Sequence, residues 1–311
     1  MKSGSLSTAL LALRRCTVVS GAMLILTGMS ACEIAGKRTA DVGSPETDPC
    51  QPKRAAEAAV SSSYNQQVMS LGPALYLPLG ASSSNTAVDM TANGPAATFM
   101  PASRPPNMVA MPNGDLAANF NGLNQYVEVP SSSALSITHT GCLTVQAWIK
   151  PATLQFPHEE GTGYVYILGK GSPREYEYAI RMYSANNTEV PVRPNRISGY
   201  VFNLAGGLGS GAYFQDPVEV GQWIMVTLVI DDRRTAGWPD GYVSLYKDGV
   251  LRQQVSLSQY DVKPHAGDAP LCIGTRDNDS YFEGAIGKVA VYDEVLSGST
   301  IAATYKAMFT H

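Results

Sequence analysis

The feature that most constrains the fold is a succession of short alternating segments separated by turn signals. The clearest example is "GYVSLYKDGVLRQQV" (241–255), where two alternating runs flank Asp248 and Gly249. An Asp-Gly pair in this position predicts a two-residue hairpin, because a type I′ turn needs positive φ at both central residues. Asp248 is therefore interpreted as a turn residue and not as a functional carboxylate.

Similar segments occur along most of the chain. Residues 142–150 place apolar side chains on one face at every second position, and residues 223–231 are apolar on both faces, as in an inner strand. The only convincing helical segment is 297–309. This pattern predicts an all-β fold, a two-sheet antiparallel jelly-roll sandwich with a short C-terminal helical turn.

The first residues have the pattern of an export signal. Residues 1–31 combine a basic start, an apolar stretch at 16–28 and small residues just before Cys32. They resemble a bacterial lipoprotein signal peptide, which implies acylation of Cys32; the alternative is an ordinary secretory peptide in which Cys32 is incidental. Glu33 follows in place of the inner-membrane retention Asp, which favours the outer membrane. We expect a lipid-anchored, or otherwise secreted, bacterial envelope protein.

The rest of the chain divides into two parts. Residues 32–63 are rich in Pro, charged and small residues, which is typical of a flexible tether, and residues 64–311 form the predicted domain. Of the cysteines after Cys32, Cys142 and Cys272 lie in strand-like segments and could form a disulfide in an oxidising compartment. A net charge of −4 gives no electrostatic reason to expect a nucleic-acid partner.

Seven segments in order resemble the laminin-G-like, concanavalin A-like jelly-roll family. They include "ANFNGLNQYVEVP" (118–130), "VSLYKDGVL" (243–251) and "FEGAIGKVAVYDEVLSGSTI" (282–301), and the last is similar to the closing pattern of pentraxins. The resemblance covers roughly residues 70–308. It implies a two-sheet jelly roll whose rim loops or concave sheet bind carbohydrate or protein, and binding is commoner in the family than catalysis.

The best candidates for catalysis are two carboxylates in "EYE", Glu175 and Glu177. Their spacing would place both on one strand face, and glycoside hydrolysis requires two carboxylates. They lack the third carboxylate of the motif found in hydrolases of this fold, so a polar strand edge is the alternative. We expect a binding module for carbohydrate or a surface protein. A glycan-active hydrolase or lyase and a purely structural adhesion domain remain alternatives.

A structural calcium site is suggested by "TRDNDSYFEG" (275–284), because calcium binds oxygen ligands. In pentraxins the matching loop helps to hold calcium together with an earlier loop. This resemblance implies Asp277, Asp279 and Glu283 as ligands, with Glu175 from the earlier loop. The alternative is an acidic surface turn.

Aromatic residues in loops are the candidates for contact with a ligand. Trp238 lies in the turn-rich segment 233–241, where an exposed indole could stack on a sugar, although it could equally cap the end of the sandwich. Tyr176 and Tyr281 are expected to contribute. The glycine-rich run 205–211 is interpreted as a flexible loop.

Overall fold

The alternating segments form two antiparallel sheets in the computed structural model, which describes residues 62–81, 85–91 and 96–310. The predicted jelly-roll sandwich is confirmed. The expected signal peptide (1–31) with Cys32, and nearly all of the expected tether (32–63), lie outside the described residues.

The first sheet, sheet A, has eight strands. They are β1 (Leu75–Leu77), β4 (Asn107–Ala110), β5 (Leu116–Asn121), β7 (Cys142–Pro151), β12 (Ile224–Asp231), β13 (Tyr242–Lys247), β14 (Val250–Ser256) and β16 (Glu283–Tyr292). Their spatial order is β14-β13-β12-β7-β16-β5-β4, and β1 also pairs with β16.

The second sheet, sheet B, also has eight strands. They are β2 (Thr86–Ala87), β3 (Ala97–Met100), β6 (Tyr126–Val129), β8 (Tyr164–Lys170), β9 (Tyr178–Tyr183), β10 (Ile197–Asn203), β11 (Gly206–Tyr213) and β15 (Leu271–Ile273). Their order is β11-β10-β9-β8-β15-β6-β3-β2.

Among the described residues, two α-helices accompany the sheets, α1 (Ser63–Ser70) and α2 (Gly298–Ala307). Short 3₁₀ turns lie at Ser133–Leu135, Ile137–His139 and Leu257–Tyr260. Helix α2 confirms the expected C-terminal helical segment, whereas α1 was not identified as helical from the sequence. In the described part of the chain, no helix is long and apolar enough to cross a bilayer.

The main core lies between the sheets and follows the period of two along each strand. In β7, Leu143 and Val145 are fully buried in this core, while Trp148 points to the opposite face of sheet A and belongs to a separate apolar cluster. The alternation that predicted the strand therefore also assigns its side chains to two different layers.

The hairpin predicted from Asp-Gly is confirmed. Asp248 and Gly249 have φ values of 53° and 81° between β13 and β14, as a type I′ turn requires. The Asp248 carboxylate also accepts a hydrogen bond from the backbone N–H of Met225 at 2.9 Å. Asp248 is thus a turn residue that also ties the hairpin to the neighbouring strand β12.

The expected disulfide between Cys142 and Cys272 is corrected, because both are free buried thiols. Cys142 begins β7 in sheet A, and its sulfur lies 3.5 Å from the hydroxyl of Thr140. Cys272 lies in sheet B between Leu271 and Ile273, whose side chains face the main core. Alternation turns Cys272 away from that core. Its burial raises the pKa of the thiol to about 12, so it stays protonated.

Candidate ligand-binding groove

The outer face of sheet B carries a groove of about 790 Å³. Strands β8, β9, β10 and β11 form its floor, and aromatic side chains alternate with the core residues of these strands. The side chains that dominate the floor are Tyr164, Tyr166, Arg181, Tyr200, Phe202 and Tyr213.

The glycine-rich run is part of this floor, because it forms strand β11 and not the flexible loop expected from its composition. A Cβ atom on Gly211 would lie 2.2 Å from the Tyr200 ring, and one on Gly209 would lie 2.7 Å from the Phe202 ring. Because these two glycines have no side chain, both rings can lie flat across strand β11. The two rings stack on each other at 5.8 Å between centroids.

Arg181 lies in the middle of the groove between two tyrosine rings. Its guanidinium carbon is 4.2 Å from the ring centroids of both Tyr164 and Tyr200. It donates a hydrogen bond to the Tyr183 hydroxyl at 2.6 Å, and its nearest carboxylate partner is Glu189 at 3.7 Å. This is a rigidly held cation whose charge is only loosely neutralised.

Arg276 repeats the arrangement beside it. Its guanidinium carbon lies 4.1 Å from the ring centroids of Tyr166 and Tyr176, and Asp277 holds it with an ion pair at 2.7 Å. A third guanidinium, of Arg193, lies 4.3 Å from the Tyr213 ring. The groove is therefore an array of stacked tyrosine and arginine side chains.

The hydrogen bonds of the tyrosine hydroxyls have a definite direction. Tyr183 accepts from Arg181 and, at 3.2 Å, from Arg193, and its oxygen lies 2.7 Å from that of Tyr200. With both lone pairs occupied by cationic donors, the Tyr183 hydroxyl donates its proton to Tyr200. The proton of Tyr200 is then available to a further acceptor.

A cluster of carboxylates lies close to Arg276. Glu160, Asp277 and Asp279 each have a carboxylate oxygen within 4.8 Å of the others. Burial, and then the charge of Asp277, raises the pKa of Glu160 to about 7. The Oδ1 atom of Asp277 is buried and has no hydrogen-bond partner among the described residues. An all-oxygen set with an unpaired buried acceptor fits a hard cation such as calcium.

This cluster contains only two of the four expected ligands, so the expected set is corrected. Glu283 starts β16, and its side chain lies over Gly122. Glu175 lies in the turn before β9, beside Gly267. Glu160 takes their place, because its loop bonds back to the 275–281 segment: Ser280 Oγ donates to Glu160 at 3.2 Å.

The proposed catalytic pair is not an accessible pair. Glu177 is fully buried, forms an ion pair with Lys170, and accepts hydrogen bonds from Ser136 Oγ at 3.2 Å and Gly267 N at 2.9 Å. These contacts tie the 267–269 segment to sheet B. Glu177 is therefore a buried structural carboxylate and does not share an open cleft with Glu175.

The three aromatic candidates lie in three different places. Tyr176 lines the groove, as expected for a ligand contact. Tyr281 packs near Tyr126, at 6.4 Å between ring centroids, next to the carboxylate cluster. Trp238 is half-buried outside the groove and packs on Tyr242 at 5.4 Å.

Sequence reasoning missed the arginines, although a signal for one of them was present. In "YAIRMY" (178–183) the core residues alternate with Arg181 and Tyr183, so both must share the outer face of β9. Arg193 and Arg276 come from irregular segments, and only the folded chain brings them to the same face.

The fold can be compared with known proteins. A family model described as the concanavalin A-like lectin/glucanases superfamily matches residues 120–302, more than half of the 311-residue chain. The chain belongs to this superfamily. A search of curated proteins found no significant match.

Several solved structures share the fold of this superfamily member. Domain 4 of a GH43 extracellular arabinanase from Geobacillus stearothermophilus, in complex with arabinotriose, has a TM-score of 0.50 and 16% identity, with 75% of this chain and 98% of that chain covered. The botulinum neurotoxin serotype D ligand binding domain, in complex with N-acetylneuraminic acid, has a TM-score of 0.54 and 15% identity over 77% of this chain and 52% of that chain. The match thus spans about half of the toxin domain.

Proposed function

We propose that this protein is a lipid-anchored envelope protein that binds carbohydrate in the groove of sheet B. The observation that carries the proposal is the floor of stacked aromatic rings on a sheet face that none of the described helices covers. Sugar rings present an apolar C–H face that stacks on aromatic side chains, while hydroxyl groups bind to polar side chains beside them.

The rim of the groove supports a ligand larger than one sugar ring. Val190 and Leu208 line it with 91% and 71% of their surface exposed. Both side chains offer apolar surface to a ligand that extends beyond the floor of the groove. Gln253 and Gln259 add amide groups that can both donate and accept hydrogen bonds.

The neighbouring structures support the class of ligand. Two proteins of the same fold were solved with sugars, arabinotriose and N-acetylneuraminic acid. At 15–16% identity they indicate only that proteins of this fold can bind carbohydrate. The residues of this site are argued from this chain alone.

The binding test uses a pair of tyrosines inside and outside the groove. The purified full chain is applied to an array of neutral, carboxylated and sulfated glycans, and affinities are measured for those that bind. Truncating an aromatic anchor at the centre of an interface typically costs about 2 kcal/mol or more. We therefore expect Tyr176→Ala to weaken binding more than tenfold and Tyr281→Ala to leave the affinity unchanged. A blank array would contradict carbohydrate binding and favour a structural adhesion domain.

The same glycans also test the enzymatic alternative, since the superfamily includes glucanases by name. Product formation from any polysaccharide by the wild type, lost in Glu175→Gln, would replace the binding proposal by a glycan-active enzyme.

The anchor is proposed from the signal pattern that precedes Cys32. Acyl chains hold a protein at a membrane because each buried CH₂ contributes about 0.8 kcal/mol. We expect palmitate labelling of the wild type in bacterial cells and no labelling of Cys32→Ala. Equal labelling of both, or of neither, would contradict the anchor.

A further inference from the structure

We infer that the groove selects anionic glycans, in which sugar carboxylates bind over its arginines, and discriminates against neutral glycans. The inference rests on the proposed carbohydrate-binding function and names the ligand class of that site. It starts from the charge of the groove, which differs in sign from the net charge of −4 on the chain as a whole.

Three guanidinium groups line the groove, and their carboxylate partners are fewer. Asp277 neutralises Arg276 at 2.7 Å, while Glu189 is 3.7 Å from Arg181 and also accepts a hydrogen bond from Thr162. Arg193 has no carboxylate partner within ion-pair distance among the described residues. The lining of the groove therefore carries three cationic side chains and one carboxylate, that of Glu189, while the acidic cluster beside Arg276 lies outside the lining.

The hydrogen-bonding groups of the groove also favour an anion. Arginine carries donors only, and the Nε atoms of Arg181 and Arg193 are buried without a partner in the part of the chain that the structure describes. Tyr200 accepts from Tyr183 and so offers its own proton as a donor. A lining dominated by donors needs a ligand rich in acceptors, and a carboxylate has acceptors only.

Stacking fixes the guanidinium groups before a ligand binds. Two tyrosine rings hold Arg181 and two others hold Arg276, each at 4.1–4.2 Å. A planar guanidinium matches a planar carboxylate with two parallel hydrogen bonds. Since these side chains are already ordered, the entropy cost of binding a carboxylate is lowered.

A neutral glycan would be disfavoured in the same groove. It would remove water from cationic groups without supplying a counter-charge, and displacing the hydration of an unpaired charge is unfavourable. Selectivity for charge therefore means that the binding free energy differs between two ligands of the same shape, one charged and one neutral.

The experiment compares oligogalacturonate with its methyl ester, which has the same backbone without the charges. Calorimetry with the full chain is carried out at low and high NaCl. We expect oligogalacturonate to bind at least tenfold more tightly than the ester, and this preference to shrink as salt rises, because salt screens exposed charges. A sulfated oligosaccharide as a third ligand shows whether the preference requires a carboxylate or any anion.

Matched variants locate the effect. Arg193→Gln removes the guanidinium with the least carboxylate pairing, and we expect it to reduce the preference for oligogalacturonate at least threefold. Arg193→Lys keeps the positive charge but removes the planar guanidinium, so it separates the effect of charge from that of the two parallel hydrogen bonds. Arg234→Gln is the control, since it removes an exposed arginine outside the groove. Melting temperatures of the three variants show whether each one is folded.

The outcomes separate this inference from the proposed function. Equal affinity for oligogalacturonate and its ester, or tighter binding of neutral glycans on the array, overturns anionic selectivity and leaves carbohydrate binding intact. A preference that survives unchanged in folded Arg193→Gln and disappears in Arg234→Gln also overturns it. A blank array overturns both the inference and the proposed function.

Discussion

The outer faces of the two sheets are built from similar residues but are used differently. Sheet A presents Trp148, Tyr292 and Lys288, and sheet B presents tyrosines with arginines. On sheet A the aromatic layer packs against α1 and α2, so that Trp148 stacks on Tyr305 at 5.6 Å. On sheet B none of the described helices covers the aromatic layer: its rings line the groove, where Tyr164 and Tyr176 are partly exposed and Tyr166, Tyr200 and Phe202 are largely buried by their neighbours.

The cations on the two faces show what this difference means. Lys288 is 2% exposed and binds Asp115 at 2.6 Å and Asn65 at 2.9 Å. Its charge is satisfied inside the protein, as a buried charge requires. Arg181 is similarly buried but has its nearest carboxylate at 3.7 Å. Lys288 on the covered face is thus paired closely within the protein, whereas on the open face Arg276 has a close carboxylate partner and Arg181 does not.

The largest expected effect comes from a substitution on the covered face of sheet A. Trp148→Ala removes a fully buried indole that also donates a hydrogen bond to the Tyr64 hydroxyl at 2.9 Å. Truncating a buried aromatic typically costs about 3–5 kcal/mol. We expect a loss of stability of this size by denaturant unfolding, whereas Tyr176→Ala on the open face should stay within about 1 kcal/mol of the wild type. Comparable losses would mean that the open face also serves the core.

The second prediction concerns the carboxylate cluster at the edge of the open face. A calcium ion bound only by the native state would stabilise it by about 2.7 kcal/mol at a hundredfold excess over Kd. We expect calcium to raise the melting temperature of the wild type and to have no effect on Asp277→Ala/Asp279→Ala or on Glu160→Gln.

Glu283→Gln is the matched control for this site, because its side chain lies over Gly122 and outside the cluster. It should keep the calcium response. A response that is lost in Glu283→Gln and kept in Glu160→Gln would restore the ligand set expected from the sequence. No response in the wild type would remove the calcium proposal.

These cases show which properties local sequence can predict. Alternation and turn chemistry act between neighbours, so the hairpin at Asp248 and the core face of β7 were both predicted correctly. The glycines of β11 were misjudged, because the rings that fill their space belong to β10. The sequence around a glycine does not show which side chain of the neighbouring strand will pack over it.

The sites depend on contacts between distant segments, and there the sequence was less informative. Asp277 and Asp279 were identified as candidate ligands from one loop, but Glu160, which joins them, is more than a hundred residues earlier. Spacing along a strand made Glu175 and Glu177 look like a pair, although Lys170 neutralises Glu177 inside the fold. Residue type and spacing predicted which groups were chemically capable, and packing decided which of them meet.

The smallest expected effect concerns Trp238, the aromatic residue that the sequence favoured for ligand contact. It is half-buried, packs on Tyr242 from a loop at the end of sheet A and lies outside the groove. An aromatic pair of this kind contributes about 0.5–1.5 kcal/mol. Trp238→Ala should therefore cost stability within this range, and each kcal/mol lost corresponds to a fall in melting temperature of about 2–4 °C. It should also leave glycan affinity unchanged, because the ring has no part in the stacked floor of the groove. The opposite result, an unchanged melting temperature with binding more than tenfold weaker, would place the ligand at the loop 233–241. The open face of sheet B would then be only a polar surface, and its difference from the covered face would have no functional meaning.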